Sequence, residues 1–311
     1  MPSGKWLLAW LLLASGLAAA APLRPGLREQ TFDQQGVTRR YLLYTPKGRA
    51  RFEGRRPLLF VIHGGSGTAR AMVRMTGRRF NQLADENGFY VVYPEAGGEK
   101  LWNFDEGEIS ASIKNPNDDL AYFKDILEQV EAMASIDEHR IFATGISRGG
   151  QACYFLVGKM PGVFRAIAPV AMPMPAYFED DCTEGPPVGL ALFNGTGDPL
   201  VPYQGGMIKI FGHDRDPVLS TDKTVTIFRR RNGCPDQPDR VTTIDAPDDN
   251  TSIRRTTWLS PKGAPVVLYQ INNGGHTWPS GPQYLPVSIV GEVSRDLDAA
   301  DEIWSFFSSF R

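Results

Sequence analysis

The sequence predicts an α/β fold: a mostly parallel central sheet with helices on both faces and an antiparallel hairpin at its N-terminal edge. Three observations carry this. Continuous apolar runs at residues 58–62 (Leu-Leu-Phe-Val-Ile) and 89–93 (Phe-Tyr-Val-Val-Tyr) have the character of strands buried on both faces. Helical stretches lie between such runs, so strand and helix alternate along the chain. At 311 residues and 42% hydrophobic content the chain can bury one large core, and one domain over residues 21–311 is the expectation.

The first twenty residues stand apart. Lys5 precedes the apolar run Trp6 to Ala14, and Ala18-Ala19-Ala20-Ala21 precedes Pro22. This is the layout of a secretory signal peptide cleaved near Ala20; a membrane span needs about 20 apolar residues. No later stretch is long and apolar enough to span a bilayer. The expectation is a secreted or periplasmic protein without stable membrane insertion after cleavage. The formal charge of -2 lacks the basic excess that a nucleic-acid partner demands.

Residues 29–33 and 38–44 flank Gln34-Gln35-Gly36 and predict the opening hairpin. Between the strands at 58–62 and 89–93, residues 69–87 are helical in composition. Asp118 or Asp119 caps the next helix, whose Leu120, Phe123, Leu127 and Val130 share a face. A strand at 140–144, a Gly-rich turn and a helix at 151–158 follow, then strands at 166–171 and 188–193. From Cys182 to Pro265 the periodicity weakens: residues 223–231 read as a helix, and 254–259 and 266–271 as paired strands. An amphipathic helix at 296–310 closes the chain. No internal repeat, low-complexity tract or linker is visible.

Export changes the reading of the three cysteines, because oxidising compartments permit disulfides. Cys182 and Cys234 both have loop-like neighbours, and a bridge between them is expected. It would contribute about 4 kcal/mol in the chain-entropy treatment. Cys153, among apolar residues of a helical stretch, reads as a small buried hydrophobe.

The strongest local signal is Gly145-Ile146-Ser147-Arg148-Gly149-Gly150, a Gly-x-Ser-x-Gly set between a strand and a helix. The bare motif is cheap in a chain with 32 glycines; its context makes it informative. Such a corner strains the serine backbone, needs glycine where neighbouring chain passes, and presents the hydroxyl above the sheet at a helix N-terminus. It points to an α/β-hydrolase fold with Ser147 as nucleophile. Acyl transfer builds negative charge on a carbonyl oxygen, and loss of one backbone donor to it costs about 3 kcal/mol. The N–H of Arg148 is one candidate donor. The other belongs to the loop after an early strand, here His63-Gly64-Gly65-Ser66-Gly67, with Gly65 as candidate.

A serine hydroxyl needs a base, and the base needs a partner that fixes its tautomer. Of four histidines, His63 belongs to the glycine loop and braces it, His139 precedes a strand, and His213 lies in a loop. His276, in Asn272-Asn273-Gly274-Gly275-His276-Thr277-Trp278-Pro279, comes straight off a strand and is the candidate base. Asp198, in Gly195-Thr196-Gly197-Asp198-Pro199, follows a strand and falls between serine and histidine, as the acid should. An ordinary turn aspartate is the plain alternative, and Asp180, Asp181, Asp214 and Asp216 are rivals with worse placement.

Taken together, His63-Gly64-Gly65, Trp102-Asn103, Asp118-Asp119-Leu120, the Ser147 motif, the stretch Asn194 to Tyr203 and Gly274 to Pro279 resemble the secreted polyhydroxybutyrate depolymerase and feruloyl esterase family. The resemblance runs from about residue 41 to the C-terminus. It implies a Ser-Asp-His hydrolase with no metal and no organic cofactor. The implied substrate is a small ester, an oligomeric polyester, or a feruloylated or acetylated polysaccharide. Polymer-degrading relatives often add a linker and a binding domain, not visible here, which favours small soluble esters or oligomers. Arg148 stands where relatives often have a smaller polar residue, and a guanidinium at the site would favour a carboxylate-bearing or sugar-linked substrate. Trp102 and Trp278, with Tyr177 and Tyr203, are candidates to line the cleft for a phenolic or sugar ring, with core packing the alternative. A peptidase of the same fold and a non-catalytic carbohydrate-binding module stay open as other functions.

Overall fold

A computed structural model describes residues 23–48, 52–98, 100–104, 107–113, 117–210 and 212–310. The expected signal peptide, residues 1–20, lies outside the described residues.

The chain opens with β1 (Gly26–Gln34) and β2 (Val37–Thr45), an antiparallel pair in which Gln34 faces Val37. Gln35 and Gly36 between them both have positive φ (52° and 83°), the two-residue turn that matches strand twist. Then come β3 (Arg56–Ile62), α1 (Ala69–Met75), α2 (Arg79–Asn87), β4 (Tyr90–Pro94), α3 (Gly107–Ser112) and α4 (Asp119–Met133). The middle of the chain is β5 (Ile136–Ile146), α5 (Arg148–Lys159), β6 (Ala166–Val170), α6 (Glu179–Thr183) and β7 (Gly189–Gly195). The remainder is β8 (Gly206–Ile210), β9 (His213–Val218), α7 (Thr221–Asn232), β10 (Arg240–Ile244), β11 (Ser252–Trp258), β12 (Val266–Asn272), α8 (Val287–Val290) and α9 (Ala299–Ser308).

Ten strands form one sheet in the order β1-β2-β4-β3-β5-β6-β7-β12-β11-β10, and β8-β9 is a separate hairpin. The six strands from β4 to β12 are parallel, with antiparallel pairs at both edges. Every residue of β3, β4, β6 and β7 is buried, as continuous apolar runs require when helices cover both faces. Alternate side chains serve opposite layers. Leu58, Phe60 and Ile62 pack with Phe123, Ile126 and Val130 of α4, with α5 and with α7. Leu59 and Val61 pack on the other face with Met72 of α1, Phe80 of α2, and Ile303 and Phe307 of α9. This is the α/β-hydrolase arrangement. No helix among the described residues is long and apolar enough to cross a membrane.

The topology also locates a crevice. From β3 the chain moves to β4 on one side, then returns to β5 on the other, so the order reverses between β3 and β5. In open α/β sheets ligands bind outside the carboxyl ends of strands at such a switch point.

Three details depart from the sequence reading. The helical stretch at 69–87 is two helices, broken where Gly77 and Arg78 take left-handed φ (58° and 59°). The loop-like surroundings of Cys182 are a short helix, α6, and the expected disulfide is corrected: Cys182 and Cys234 are both free thiols. Cys182 turns its Sγ into the core toward the Tyr154 carbonyl (3.5 Å), whereas Cys234 Sγ faces the Trp258 carbonyl (3.9 Å). The tie between these segments comes from Arg231 on α7, which donates to the carbonyls of Cys182 and Pro186 (both 2.9 Å).

Candidate active site

Ser147 lies between β5 and α5 with φ 56° and ψ -123°, a conformation that costs a non-glycine residue on the order of 1–3 kcal/mol. Hydrogen bonds on both sides hold it there: its N–H donates to Val170 O (2.9 Å), and its carbonyl accepts from Gln151 N–H (3.0 Å). The flanking glycines are needed for space. A Cβ on Gly145 would lie 2.5 Å from Gly149 O and 2.6 Å from Ile62 O, and one on Gly149 would strike the same Ile62 carbonyl. Ser147 itself is only half-buried.

The loop after β3 passes directly beside this corner. A Cβ on Gly64 would sit 3.4 Å from Ser147 Cβ; one on Gly65 would sit 4.0 Å from Arg148 Cβ and 3.6 Å from the Leu101 side chain. His63 braces the loop. Its Nε2 accepts from Ala96 N–H (3.1 Å), which assigns the proton to Nδ1, and Nδ1 donates to Gly64 O (2.7 Å). Burial lowers its pKa to about 4 and the Lys100 charge adds to that, against the Gly64 carbonyl, which favours the protonated ring. The imidazole is therefore neutral at neutral pH.

Asp198 and His276 meet across the carboxyl ends of β7 and β12. His276 Nδ1 and Asp198 Oδ2 are 2.7 Å apart, with both side chains almost fully buried. The other carboxylate oxygen accepts from Leu200 and Val201 N–H (both 2.8 Å), so the acid is oriented by its own loop. The two loops are stitched together by Thr196 N–H to Ile271 O (2.9 Å) and Gly197 N–H to Gly274 O (3.0 Å). Gly195 must be glycine, because a Cβ there would strike the Gly274 backbone. On the far side, His276 N–H donates to Val290 O (2.5 Å) and Tyr284 Oη donates to His276 O (2.8 Å).

Ser147 shares this end of the sheet, because β5, β6, β7 and β12 are consecutive parallel neighbours. Ser147 N–H to Val170 O and Ala171 N–H to Phe193 O continue the row of backbone stitches. The structure thus places the serine corner, with the glycine loop beside it, and the acid–histidine pair at one end of the same sheet, without a hydrogen bond from Ser147 to His276. The other candidates lie elsewhere. His139 and His213 are exposed, on β5 and β9, and Asp180 and Asp214 are exposed. Asp181 pairs with Lys159 (2.6 Å), and Asp216 is buried on β9.

The aromatic expectations need correction. Trp102 is 0% and Trp278 1% exposed, so neither lines an open cleft. Trp102 packs beside Tyr122 and Phe123 and donates its indole N–H to His63 O (2.9 Å); Trp278 packs edge-on to Phe80. Tyr203 is also buried, with its hydroxyl on Gln270. Nor does the Arg148 guanidinium face a substrate: it is buried, donating to Trp102 O and to Gln151 Oε1 (3.0 Å). Side chains this large contribute more in a closed core than at a rim when their polar atoms find partners.

What sequence reasoning missed is the surface beside His276. Residues 282–289 are all exposed, and Tyr284, Leu285, Val287 and Ile289 are exposed by 38% to 44%. They are four of the eight large exposed hydrophobics among the described residues. The signal was present in Pro282-Gln283-Tyr284-Leu285-Pro286-Val287, an apolar stretch without charge, whose two prolines hold residues 282–286 outside the short helix α8. Among the described residues no group of three His, Cys, Asp or Glu side chains could hold a metal ion.

The family model described as "Esterase PHB depolymerase" matches residues 39–172, which include the glycine loop and Ser147. A curated protein of Nocardia uniformis subsp. tsuyamanensis, "Putative esterase NocK", is 30% identical over 278 residues, 87% of this chain and 79% of its own length. "Feruloyl esterase C" of Emericella nidulans is 27% identical over 291 residues, 91% of this chain and 90% of that one. "Poly(3-hydroxyalkanoate) depolymerase C" of Paucimonas lemoignei is 29% identical over 120 residues, 37% of this chain and 27% of its own length. Among solved structures, "Acetyl xylan esterase from Aspergillus awamori" superposes with a TM-score of 0.58 over 91% of this chain and 99% of that one, at 12% identity, a likeness of fold. The chain belongs to the esterase PHB depolymerase family, whose members are carboxylic ester hydrolases.

Proposed function

We propose that this chain hydrolyses carboxylic esters through an acyl-enzyme, with Ser147 as nucleophile, His276 as general base and Asp198 as the residue that orients it. The observation that carries the reading is the shared sheet end: a strained, half-buried Ser147 beside the Gly64–Gly65 backbone, and a His276–Asp198 pair on the same row of strands. With Asp198 Oδ2 accepting from Nδ1–H, the imidazole keeps its lone pair on Nε2, the nitrogen that takes the serine proton. Ser147 Oγ attacks the ester carbonyl, and the N–H groups of Gly65 and Arg148 hold the resulting oxyanion at the start of α5, the positive end of the helix dipole. Collapse expels the alcohol, which takes its proton from His276. Water activated by His276 then releases the acid and restores Ser147. The hydrogen bond from Ser147 to His276, absent without substrate, forms when substrate arrives, since catalytic hydrogen bonds in unliganded sites are commonly long or misaligned.

The substrate in this reading is a small ester or oligomer whose acyl or alcohol part is apolar or aromatic. The exposed Tyr284, Leu285, Val287 and Ile289 beside His276 support it, as do the names of the feruloyl esterase and depolymerase relatives. The twenty N-terminal residues direct export, and residues 21–311 form one catalytic domain. The test is hydrolysis of p-nitrophenyl acetate and butyrate, methyl ferulate, acetylated xylan and hydroxybutyrate oligomers by the purified protein and its Ser147→Ala variant. Activity abolished in the variant supports the serine mechanism, and full activity in the variant ends it.

A further inference from the structure

Arg148 follows the nucleophile, yet its side chain turns inward and is only 3% exposed. Nε and Nη2 both donate to Trp102 O, Nη1 donates to Gln151 Oε1, and the guanidinium lies 4.7 Å from the centroid of Phe104. Buried Asp216 and Asp119 supply favourable charge nearby. Asp119 is held in turn by Arg39 (2.6 Å) and by Asn103 N–H (2.7 Å). A buried, fully engaged guanidinium is therefore anchored to residues 102–104 from several directions.

Those residues hold the glycine loop. Trp102 Nε1 donates to His63 O, and its ring lies 4.8 Å from the imidazole centroid. Ser66 N–H donates to Lys100 O (3.0 Å), and the Leu101 side chain sits against Gly65. The segment 100–103 is thus the outer wall of the 63–67 loop, and Arg148 ties that wall to the first turn of α5. The two oxyanion donors assigned above come from these two separate pieces of chain, one after β3 and one after β5. Their spacing has to be held to a fraction of an ångström, and a misplacement of about 1 Å costs on the order of 100-fold in rate.

We infer that Arg148 is a positioning residue that acts through Trp102 and His63 to fix the distance between the Gly65 and Arg148 N–H groups, and that its guanidinium does not contact substrate. The inference rests on the ester-hydrolase reading of the site. Lysine is a sharp probe, because it keeps the charge but, as a point donor, cannot reproduce the two-sided grip on Trp102 O and Gln151.

The experiment measures kcat and KM for Arg148→Lys and Trp102→Phe on a neutral and an anionic p-nitrophenyl ester, with the affinity of a trifluoromethyl ketone whose hemiketal oxyanion, formed as Ser147 Oγ adds to its carbonyl and His276 takes the serine proton, uses the same donors. Both variants are expected to lose about 10- to 100-fold in kcat on both esters, to keep KM within about threefold, and to weaken the ketone by the same factor as kcat. The double variant is expected to fall well short of the product of the two losses, since the links act in series. Trp102→Phe leaves Arg148 and its carbonyl acceptor in place, so it tests the relay even where Arg148→Lys fails to fold. Unchanged kcat in Trp102→Phe, or a loss in Arg148→Lys confined to KM for the anionic ester, overturns the inference. Ser147→Ala is assayed in parallel: activity surviving there removes the parent reading, whereas its loss beside a normal Trp102→Phe removes this inference alone.

Discussion

The two banks of the proposed active centre are built on opposite plans. Behind Ser147, Arg148, Trp102 and His63 are buried and bond to one another, so their polar atoms are engaged within the protein. Beside His276, residues 282–289 turn apolar side chains to solvent and touch the site mainly through backbone and the Tyr284 hydroxyl. The difference separates two tasks that proximity to a site tends to merge. Groups already satisfied by the protein can hold catalytic geometry, whereas groups left exposed are those a substrate can cover.

The largest effects should fall on the chemistry common to both banks. Ser147→Ala should reduce kcat by on the order of a millionfold, and Asp198→Asn by on the order of 10,000-fold through the wrong His276 tautomer, both read from steady-state kinetics with KM little changed. An Asp198→Asn enzyme within tenfold of the parent would detach Asp198 from the mechanism.

The closed bank should reveal itself in stability. His63 is held neutral in the fold, with its pKa lowered to about 4 from an ordinary value near 6.5. Its contribution is therefore present above pH 6.5 and is lost as pH falls toward 4, because the unfolded chain takes up the proton first. The loss amounts to about 3 kcal/mol. Denaturant midpoints across that range should slope steeply for the parent and more gently for His63→Gln. An equal slope in both would assign the acid sensitivity to other groups.

The open bank should respond only to substrate. Tyr284→Ala should raise KM about 5- to 10-fold for methyl ferulate and p-nitrophenyl butyrate, and scarcely at all for p-nitrophenyl acetate, as expected for loss of one aromatic contact. A uniform fall in kcat instead would mean that Tyr284 acts through its bond to the His276 carbonyl, and the contrast between the banks would weaken. The smallest effect expected is none: with Cys153, Cys182 and Cys234 all free, a reductant should leave the melting temperature unchanged, and three thiols should titrate in the denatured protein. A shift of several degrees on reduction would restore the bridge.

Much of this was legible along the chain because it depends on local rules. Apolar runs such as 58–62 reported double-sided burial, Gln35-Gly36 reported the hairpin, and Gly145-Ile146-Ser147-Arg148-Gly149 reported a corner where three backbones crowd. Asp198 and His276 could be picked out because a loop following a strand, in the right chain order, needs no knowledge of packing. The helix around Cys182 and the β8–β9 hairpin escaped because they are short, polar and held by neighbours.

Sequence by itself therefore determined the sheet, its layers and the candidates for the chemistry, since these follow from periodicity, glycine and chain order. Tertiary structure alone decided which way side chains point: Trp102, Trp278 and Arg148 inward, Tyr284 and its neighbours outward, and Cys182 away from Cys234. The physical reason is that orientation depends on partners distant in the chain, such as the His63 carbonyl that satisfies the Trp102 indole 39 positions away. Neither residue announces that partnership in its own local sequence.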